Sequence, residues 1–326
     1  MSARPSLRVF DEAMIRDVVT DAVALTSARQ AFLALGRREA LVPPPLGVDL
    51  EDVGGEIHVK GAYLAGSPIF AFKVATGFYG NTARGLPSGS GLVLVFDAAT
   101  GFPLGLLADN GYLTDLRTAA AGALAASLLA PDRPLVVAVL GAGIQARLQL
   151  RLMARVRSLT EIRVWSPRPE SREACAAELV ETLRVPAAAT PTPMAAVGDA
   201  DLVVTVTPSR QPLVTGNMLR PGVTVIAVGS DGPDKRELAS DVLGRAHKIV
   251  TDRTDQCLRL GELHHAVEAG VVSAERVHAE LGEIQAGLRP GREGDETIVC
   301  DLTGVGAQDA AIAEAAWDLL GRRGPR

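Results

Sequence analysis

Leu135-Val136-Val137-Ala138-Val139-Leu140 runs directly into Gly141-Ala142-Gly143-Ile144-Gln145-Ala146, and the reading of this stretch decides the fold. An apolar run without a polar break is what a strand buried on both faces requires. Gly141 permits a tight turn, and Gly143 lets a phosphate approach the backbone. Ala146 is small enough for the following helix to pack closely on the strand. Ile144 and Gln145 open that helix, whose first N–H groups and positive dipole end favour an anion. A glycine turn by itself is common. Here a second strand follows the helix, and that order makes the segment a dinucleotide phosphate site, for NAD or NADP.

The chain downstream keeps the same alternation. Strands are expected near 135–140, 161–165, 201–207, 223–228 and 247–250, with helices near 144–156, 169–183 and 238–245. Alternating βα units predict a parallel sheet. The second strand ends at Trp165, followed by Ser166-Pro167-Arg168, with no acidic residue before Glu170. An NAD site usually places a carboxylate there for the ribose hydroxyl. Ser166 and Arg168 instead favour the 2′-phosphate of NADP, the alternative being that Arg168 is a solvated surface charge. Thr205-Val206-Thr207 and Gly229-Ser230-Asp231 end later strands on the edge where open α/β sheets bind ligands. Thr207 and Ser230 are therefore candidate cofactor neighbours.

Upstream, residues 11–38 carry apolar residues at three- and four-residue steps and read as one helix, stopped by Pro43-Pro44-Pro45. Residues 56–64, 68–74, 92–96 and 103–107 read as strands of an antiparallel or mixed sheet, with a loop at 77–91. Thr118–Leu129 is an alanine-rich helix closed by Pro131 and Pro134. Residues 306–320 form an apolar terminal helix that can return to the N-terminal part. The expectation is an α/β protein with a Rossmann domain at 118–305 and a discontinuous α+β domain formed by 1–117 and 306–326.

Composition narrows the function. The 326 residues are 47% hydrophobic and 22% charged, which argues against disorder. A net charge of −5 with scattered basic residues argues against nucleic acid. Cys175, Cys257 and Cys300 are far apart, without disulfide or zinc spacing. No apolar stretch is long enough to span a membrane, and the acidic start MSARPSLRVFDEAMIRDVV lacks a signal-peptide core, so a cytoplasmic protein is expected. His264 and His265, adjacent in a helix-like stretch, point apart and read as surface residues, and no metal site is expected.

Beyond these features, the chain resembles the ornithine cyclodeaminase/μ-crystallin family over nearly its whole length. The resemblance is carried by Phe72-Lys73, Asn81 with Gly85-Leu86-Pro87, Asp97 with Thr100-Gly101, and Thr114-Asp115-Leu116-Arg117-Thr118-Ala119-Ala120. Further carriers are the glycine turn, Gly229-Ser230-Asp231-Gly232-Pro233 with Lys235 and Glu237-Leu238, and Asp301 through Gly306. VKGAYL, FKVATGFYGN and DNGYLTDLRTAAAG are similar to the ectoine-utilisation branch. The resemblance implies a Rossmann domain, a substrate and dimerisation domain, a homodimer, and an amino- or imino-acid substrate in a cleft facing the nicotinamide.

Residue by residue, it implies that Arg117 grips the substrate carboxylate with a bidentate fork. Lys73 contacts that carboxylate or assists protonation, and Asp231 is the catalytic aspartate near the substrate nitrogen. Ser88 takes the place of a substrate-proximal Thr, Val305 that of a pocket residue, and Thr118 lies at the cofactor. The bland reading of Lys73, Arg117 and Asp231 is two exposed charges and a turn residue. Lys60 stands where cyclodeaminases carry a glutamate, a place where archaeal alanine dehydrogenases also have a cation. A cation there tilts the chemistry away from cyclisation and fits a second carboxylate or a tighter grip on the first. The upstream substrate arginine of many members is not matched by Pro45-Leu46-Gly47-Val48-Asp49. The reading is an NAD(P)-dependent reductase of 2-imino acids or an amino-acid dehydrogenase. The alternatives are a cyclodeaminase with bound NAD, releasing ammonia, and a cofactor-retaining binding protein with little turnover.

Overall fold

The computed structural model describes residues 6–322; the outermost ends of the expected first domain, residues 1–5 and 323–326, lie outside the described residues. The chain divides into two compact units, one from the chain up to Arg117 with Val305 onward, the other from Thr118–Gly304.

The first unit begins with β1 (Arg8–Asp11), α1 (Glu12–Arg16) and α2 (Asp21–Gly36). There follow β2 (Ala40–Leu41), β3 (Leu46–Leu50), β4 (Gly55–Leu64), β5 (Ile69–Gly77), β6 (Gly89–Asp97) and β7 (Pro103–Ala108). These strands form one mixed sheet in the order β1-β7-β6-β5-β4-β2, with β3 also on β4. Only β1 pairs in parallel, with β7. Two expectations are corrected. The helix expected across 11–38 is broken, because Thr20 turns extended and its hydroxyl accepts from Val23 N–H to start α2. The loop expected at 77–91 contains a short 3-10 turn, Tyr79–Arg84, and gives way to β6 at Gly89. Along β5 the buried positions alternate as Ile69, Ala71 and Lys73, so Lys73 lies on the covered face of the sheet.

α3 (Tyr112–Leu129) spans the division at Arg117. The second unit continues with β8 (Leu135–Leu140), α4 (Ile144–Met153), β9 (Leu159–Trp165), α5 (Pro169–Leu183), β10 (Ala187–Ala189), α6 (Pro193–Val197) and β11 (Leu202–Thr205). It then runs through β12 (Thr224–Ala227), α7 (Ser240–Arg245), β13 (Lys248–Thr251), α8 (Thr254–Leu260), α9 (Glu262–Glu268), β14 (Val277–Glu280), α10 (Leu281–Gln285) and β15 (Ile298–Asp301). All its strand pairs are parallel, in the order β10-β9-β8-β11-β12-β15-β13-β14. Every residue of β11, β12, β13 and β15 is buried, as strands covered on both faces demand. The order reverses direction between β8 and β11, the point where such sheets bind ligands.

α11 (Gly306–Arg322) belongs to the first unit and packs on α2, β4 and β5. Its buried side is Ala307, Ala310, Ala311, Ile312, Ala313, Ala316 and Leu320. Trp317 meets the Phe10 ring edge-on at 5.5 Å, with the Arg8 guanidinium over both rings. Among the described residues no helix is long and apolar enough to cross a membrane.

Candidate dinucleotide and substrate sites

The glycine turn is built as its residues demand. Gly141 donates its N–H to Trp165 O at 2.8 Å and has φ +121°, a conformation open to glycine. A Cβ there would lie 2.8 Å from Val206 Cγ2. Gly143 differs: its φ of −89° suits any residue, and a Cβ would meet no protein atom within 4 Å. What Gly143 keeps clear is the approach to the start of α4. Ile144 stands 56% exposed on that approach, Gln145 is half-buried, and Ala146 is fully buried against the sheet. Arg147, which sequence reasoning missed, braces the turn by donating to Ala142 O at 2.6 Å and Gly143 O at 3.1 Å while its Nε pairs with Glu178. Behind it Gln149 donates to Thr118 O at 3.2 Å. An accessible helix start with clear space above Gly143 fits a dinucleotide pyrophosphate.

At the end of β9, Arg168 is exposed and Arg172 half-buried, its guanidinium donating to Ser166 O at 3.0 Å. Ser166 is 6% exposed, and its hydroxyl donates to Arg168 O at 3.0 Å, closing the turn before α5. The cationic character of this corner thus rests on Arg168 and Arg172. Arg172 sits one helical turn beyond Arg168, a spacing the sequence displayed.

Thr207 and Ser230 also have partners within the protein. Thr207 directs its hydroxyl and its N–H to Glu237 Oε1, at 2.8 and 2.6 Å. Ser230 donates to Lys235 O at 2.6 Å. The organiser of this edge is Glu237, fully buried. It also accepts from the Thr205 hydroxyl at 2.7 Å and Gly229 N–H at 2.9 Å, tying the end of β11 to the loop after β12. Burial pushes its carboxyl up to about 7 against the opposing effect of these donors. Neighbouring Glu262, also raised by burial, accepts from the N–H groups of Glu237 and Leu238. Asp231 follows in that loop, half-buried, with Lys235 Nζ 2.8 Å from its carboxylate.

In the first unit the structure brings three sequence candidates together around a residue that sequence reasoning missed. Lys60 and Lys73 are directly opposed partners in the β4–β5 pair, so their side chains share a face. Lys73 Nζ lies 3.5 Å from Asp309 Oδ1, and Arg117 Nε donates to the same oxygen at 2.9 Å. Lys60, Lys73, Arg117 and Asp309 are 6%, 3%, 6% and 1% exposed, which excludes the reading of Lys73 and Arg117 as exposed charges. Burial, opposed by Asp309 and reinforced by Arg117 and Lys60, brings the Lys73 ammonium down to about 7. Asp109, capping α3 through Leu113 N–H at 2.7 Å, is pushed up by burial to about 6. Asp309 Oδ2 and Asp109 Oδ1 are buried without a hydrogen-bond partner among the described residues. The cluster therefore offers cations for a carboxylate and acceptors for an N–H. Asp309 was legible as a carboxylate on the apolar face of a helix. Ser88 is half-buried, its carbonyl accepting from Phe78 N–H at 2.6 Å; Val305 is fully buried, its N–H donating to Gln308 Oε1 at 2.8 Å.

His264 and His265 correct the surface reading. Both are half-buried with ring centres 5.0 Å apart, because α8 and the loop before Glu237 cover them. His264 Nδ1 faces Leu258 O and His265 Nε2 faces Lys235 O at 2.8 Å. Together with Glu268 they could hold a metal, their ligand atoms lying within 4.8 Å of one another.

Comparison with known proteins agrees with this construction. The model of the "Ornithine cyclodeaminase/mu-crystallin family" matches residues 12–321. The chain is 41% identical to an uncharacterized cyclodeaminase of Sinorhizobium fredii, across 98% of this chain and 97% of that protein. Among solved structures it is similar to the Δ1-pyrroline-2-carboxylate reductase of Thermococcus litoralis in complex with NADH and L-proline. That match has a TM-score of 0.92 and 30% identity over 97% of this chain and 98% of the other. An archaeal alanine dehydrogenase dimer with bound NAD gives a TM-score of 0.90 and 32% identity, over 98% of each chain. With its parallel sheet, glycine turn and buried Lys73–Asp309–Arg117 cluster, the chain belongs to the ornithine cyclodeaminase/mu-crystallin family.

Proposed function

We propose that the protein is an NAD(P)-dependent oxidoreductase that reduces a 2-imino acid to an amino acid, or runs the reverse. The observation that carries this reading is the buried Arg117–Asp309–Lys73 cluster with Lys60 beside it, in a chain that also holds an accessible dinucleotide turn. Arg117 receives the substrate carboxylate through its guanidinium fork, with Lys73 adding charge and Asp309 fixing both cations. Asp231 exchanges the proton at nitrogen, and Lys235 keeps its carboxylate oriented. When bound, the nicotinamide supplies the hydride that reaches the imine carbon. That carbon gains the hydride, the nitrogen gains a proton, and the dinucleotide is oxidised.

The first unit takes the substrate and dimerisation roles and the second takes the cofactor, with Gly141, Gly143, Ile144, Gln145 and Ala146 at the pyrophosphate. The homodimer is supported by the dimeric alanine dehydrogenase relative. NADP is preferred over NAD, on the strength of Arg168 and Arg172 at the ribose corner. Three buried free thiols suit the reducing cytoplasm. The cyclodeaminase reading is disfavoured by Lys60, whose charge repels a distal ammonium, and the binding-protein reading by the intact cluster.

The test is an assay of 2-oxo acids with ammonia or methylamine, and of cyclic imines, against NADH and NADPH. Net loss of reduced nucleotide supports reduction, faster with NADPH. Ammonia release from amino acids with no net change supports a cyclodeaminase. Tight dinucleotide binding without turnover supports the third reading. Asp231→Asn is expected to lower turnover about 100-fold or more, within the usual contribution of a proton-transfer group. Unchanged turnover contradicts its role.

A further inference from the structure

Adjacent residues on a helix point about 100° away from each other, so neighbouring histidines do not ordinarily meet. His264 and His265 on α9 do, with ring centres 5.0 Å apart and planes tilted by 57°. Glu268 stands one turn beyond His264 on the same helix face, a carboxylate oxygen 3.5 Å from His264 Nε2. Taking one ligand atom from each of the three residues, no two are more than 4.8 Å apart. A tetrahedral metal with bonds of about 2.0–2.1 Å sets its ligand atoms about 3.3 Å apart. The His264–Glu268 edge is already near that length, and the remaining contraction is within reach of side-chain torsions.

The rings are also held as metal ligands are held. His264 Nδ1 faces Leu258 O of α8 at 3.2 Å, and His265 Nε2 faces Lys235 O at 2.8 Å. A carbonyl only accepts, so in the neutral ring each of these nitrogens carries the proton and the other nitrogen keeps the lone pair. A backbone carbonyl behind an imidazole is the common outer shell of a histidine ligand, fixing its tautomer and orientation. An ordinary surface ion pair of His264 with Glu268 would need neither the second imidazole nor the two carbonyls. Two imidazoles and one carboxylate suit a borderline divalent ion such as Zn2+, whereas Mg2+ and Ca2+ take oxygen ligands. We propose that His264, His265 and Glu268 form a Zn2+-type site, with water in the fourth position. Lys235 O also accepts from the Ser230 hydroxyl, and Lys235 Nζ pairs with Asp231. A metal on His265 strengthens its remaining N–H as a donor, so the ion fastens α9 to α8 and to the loop at 229–237. The site stands on these residues alone and does not depend on the reaction proposed above.

The experiment titrates ZnCl2, and separately MgCl2, into the full chain dialysed against a chelator, with calorimetric detection. One Zn2+ per chain is expected, and no binding of Mg2+. His264→Gln and Glu268→Gln should each weaken Zn2+ about 10-fold or more, since loss of an outer-shell partner alone costs about 10- to 100-fold. His278→Gln, outside the cluster, should leave the affinity unchanged. Absence of Zn2+ binding, equal binding of Mg2+, or an affinity that both cluster variants leave unmoved overturns the proposal. So does an equal loss in His278→Gln, which would put the ion elsewhere. Because Glu268 is exposed, its variant keeps the fold, and a second measurement uses it. Zn2+ should raise the melting temperature of the wild type and not that of Glu268→Gln, the two proteins melting alike without metal. Equal rises in both overturn the assignment.

Discussion

At the scale of single residues, the functional chemistry depends on how buried charges answer one another. Lys73 is brought down to about 7 chiefly by burial, with Asp309 working against that shift. Its ammonium is protonated below pH 7 and lost as the pH rises above it. If the protonated form holds the substrate carboxylate, kcat/KM for the 2-oxo acid should fall as the pH climbs through about 7. A bound carboxylate stabilises the ammonium, so the same limb in kcat should lie at higher pH. Asp309→Asn removes the opposing charge and should move the kcat/KM limb downward, which a pH–rate series with constant ionic strength reads directly. A limb unmoved by the substitution would disconnect Asp309 from Lys73. Arg117 and Lys73 were legible as candidates from the sequence, whereas Asp309 showed only as a carboxylate on an apolar helix, with no sign of what it meets. Its partners are remote in sequence, and only the return of α11 to the first unit brings the carboxylate to them.

Among elements, the glycine turn separates two requirements that one motif combines. Gly141 is needed by the fold, because its φ is left-handed and Val206 leaves no room for a Cβ. Gly143 is not needed by the fold at all. Gly141→Ala should therefore cost about 1–3 kcal/mol of stability through strain, read as a lower denaturant midpoint, and should weaken the dinucleotide as well. Gly143→Val should leave the midpoint nearly unchanged while raising the dissociation constant for NADPH or NADH about 10-fold or more, since a side chain would meet the phosphate. Equal effects at both positions would place Gly143 in a structural role. The strand–turn–helix was readable because β8 is continuously apolar and its neighbours follow in sequence order. β10, β14 and β15 escaped notice because they are short, and β15 inserts between β12 and β13 out of order. β1 also escaped notice because its four residues lead straight into α1, whose N-cap Asp11 ends the strand.

For the whole molecule, the alternation of strands and helices announced a parallel sheet, and the apolar terminal helix announced a segment returning to the N-terminal part. Tertiary hydrogen bonding was the hidden layer. Thr207, Ser230 and Ser166 sit at the expected strand ends, yet their hydroxyls serve the fold through Glu237, Lys235 O and Arg168 O. No local pattern reveals such commitments, since each partner is set by how the loops close. Isotopic transfer reports where the hydride goes. The protein is supplied with nicotinamide nucleotide carrying deuterium at C4 on both faces, together with ammonia and the preferred 2-oxo acid, and the amino acid formed is analysed by mass and NMR. One deuterium is expected on the α-carbon for each nucleotide oxidised. Product formed without deuterium at that carbon, or ammonia released with no net oxidation of the nucleotide, would contradict it.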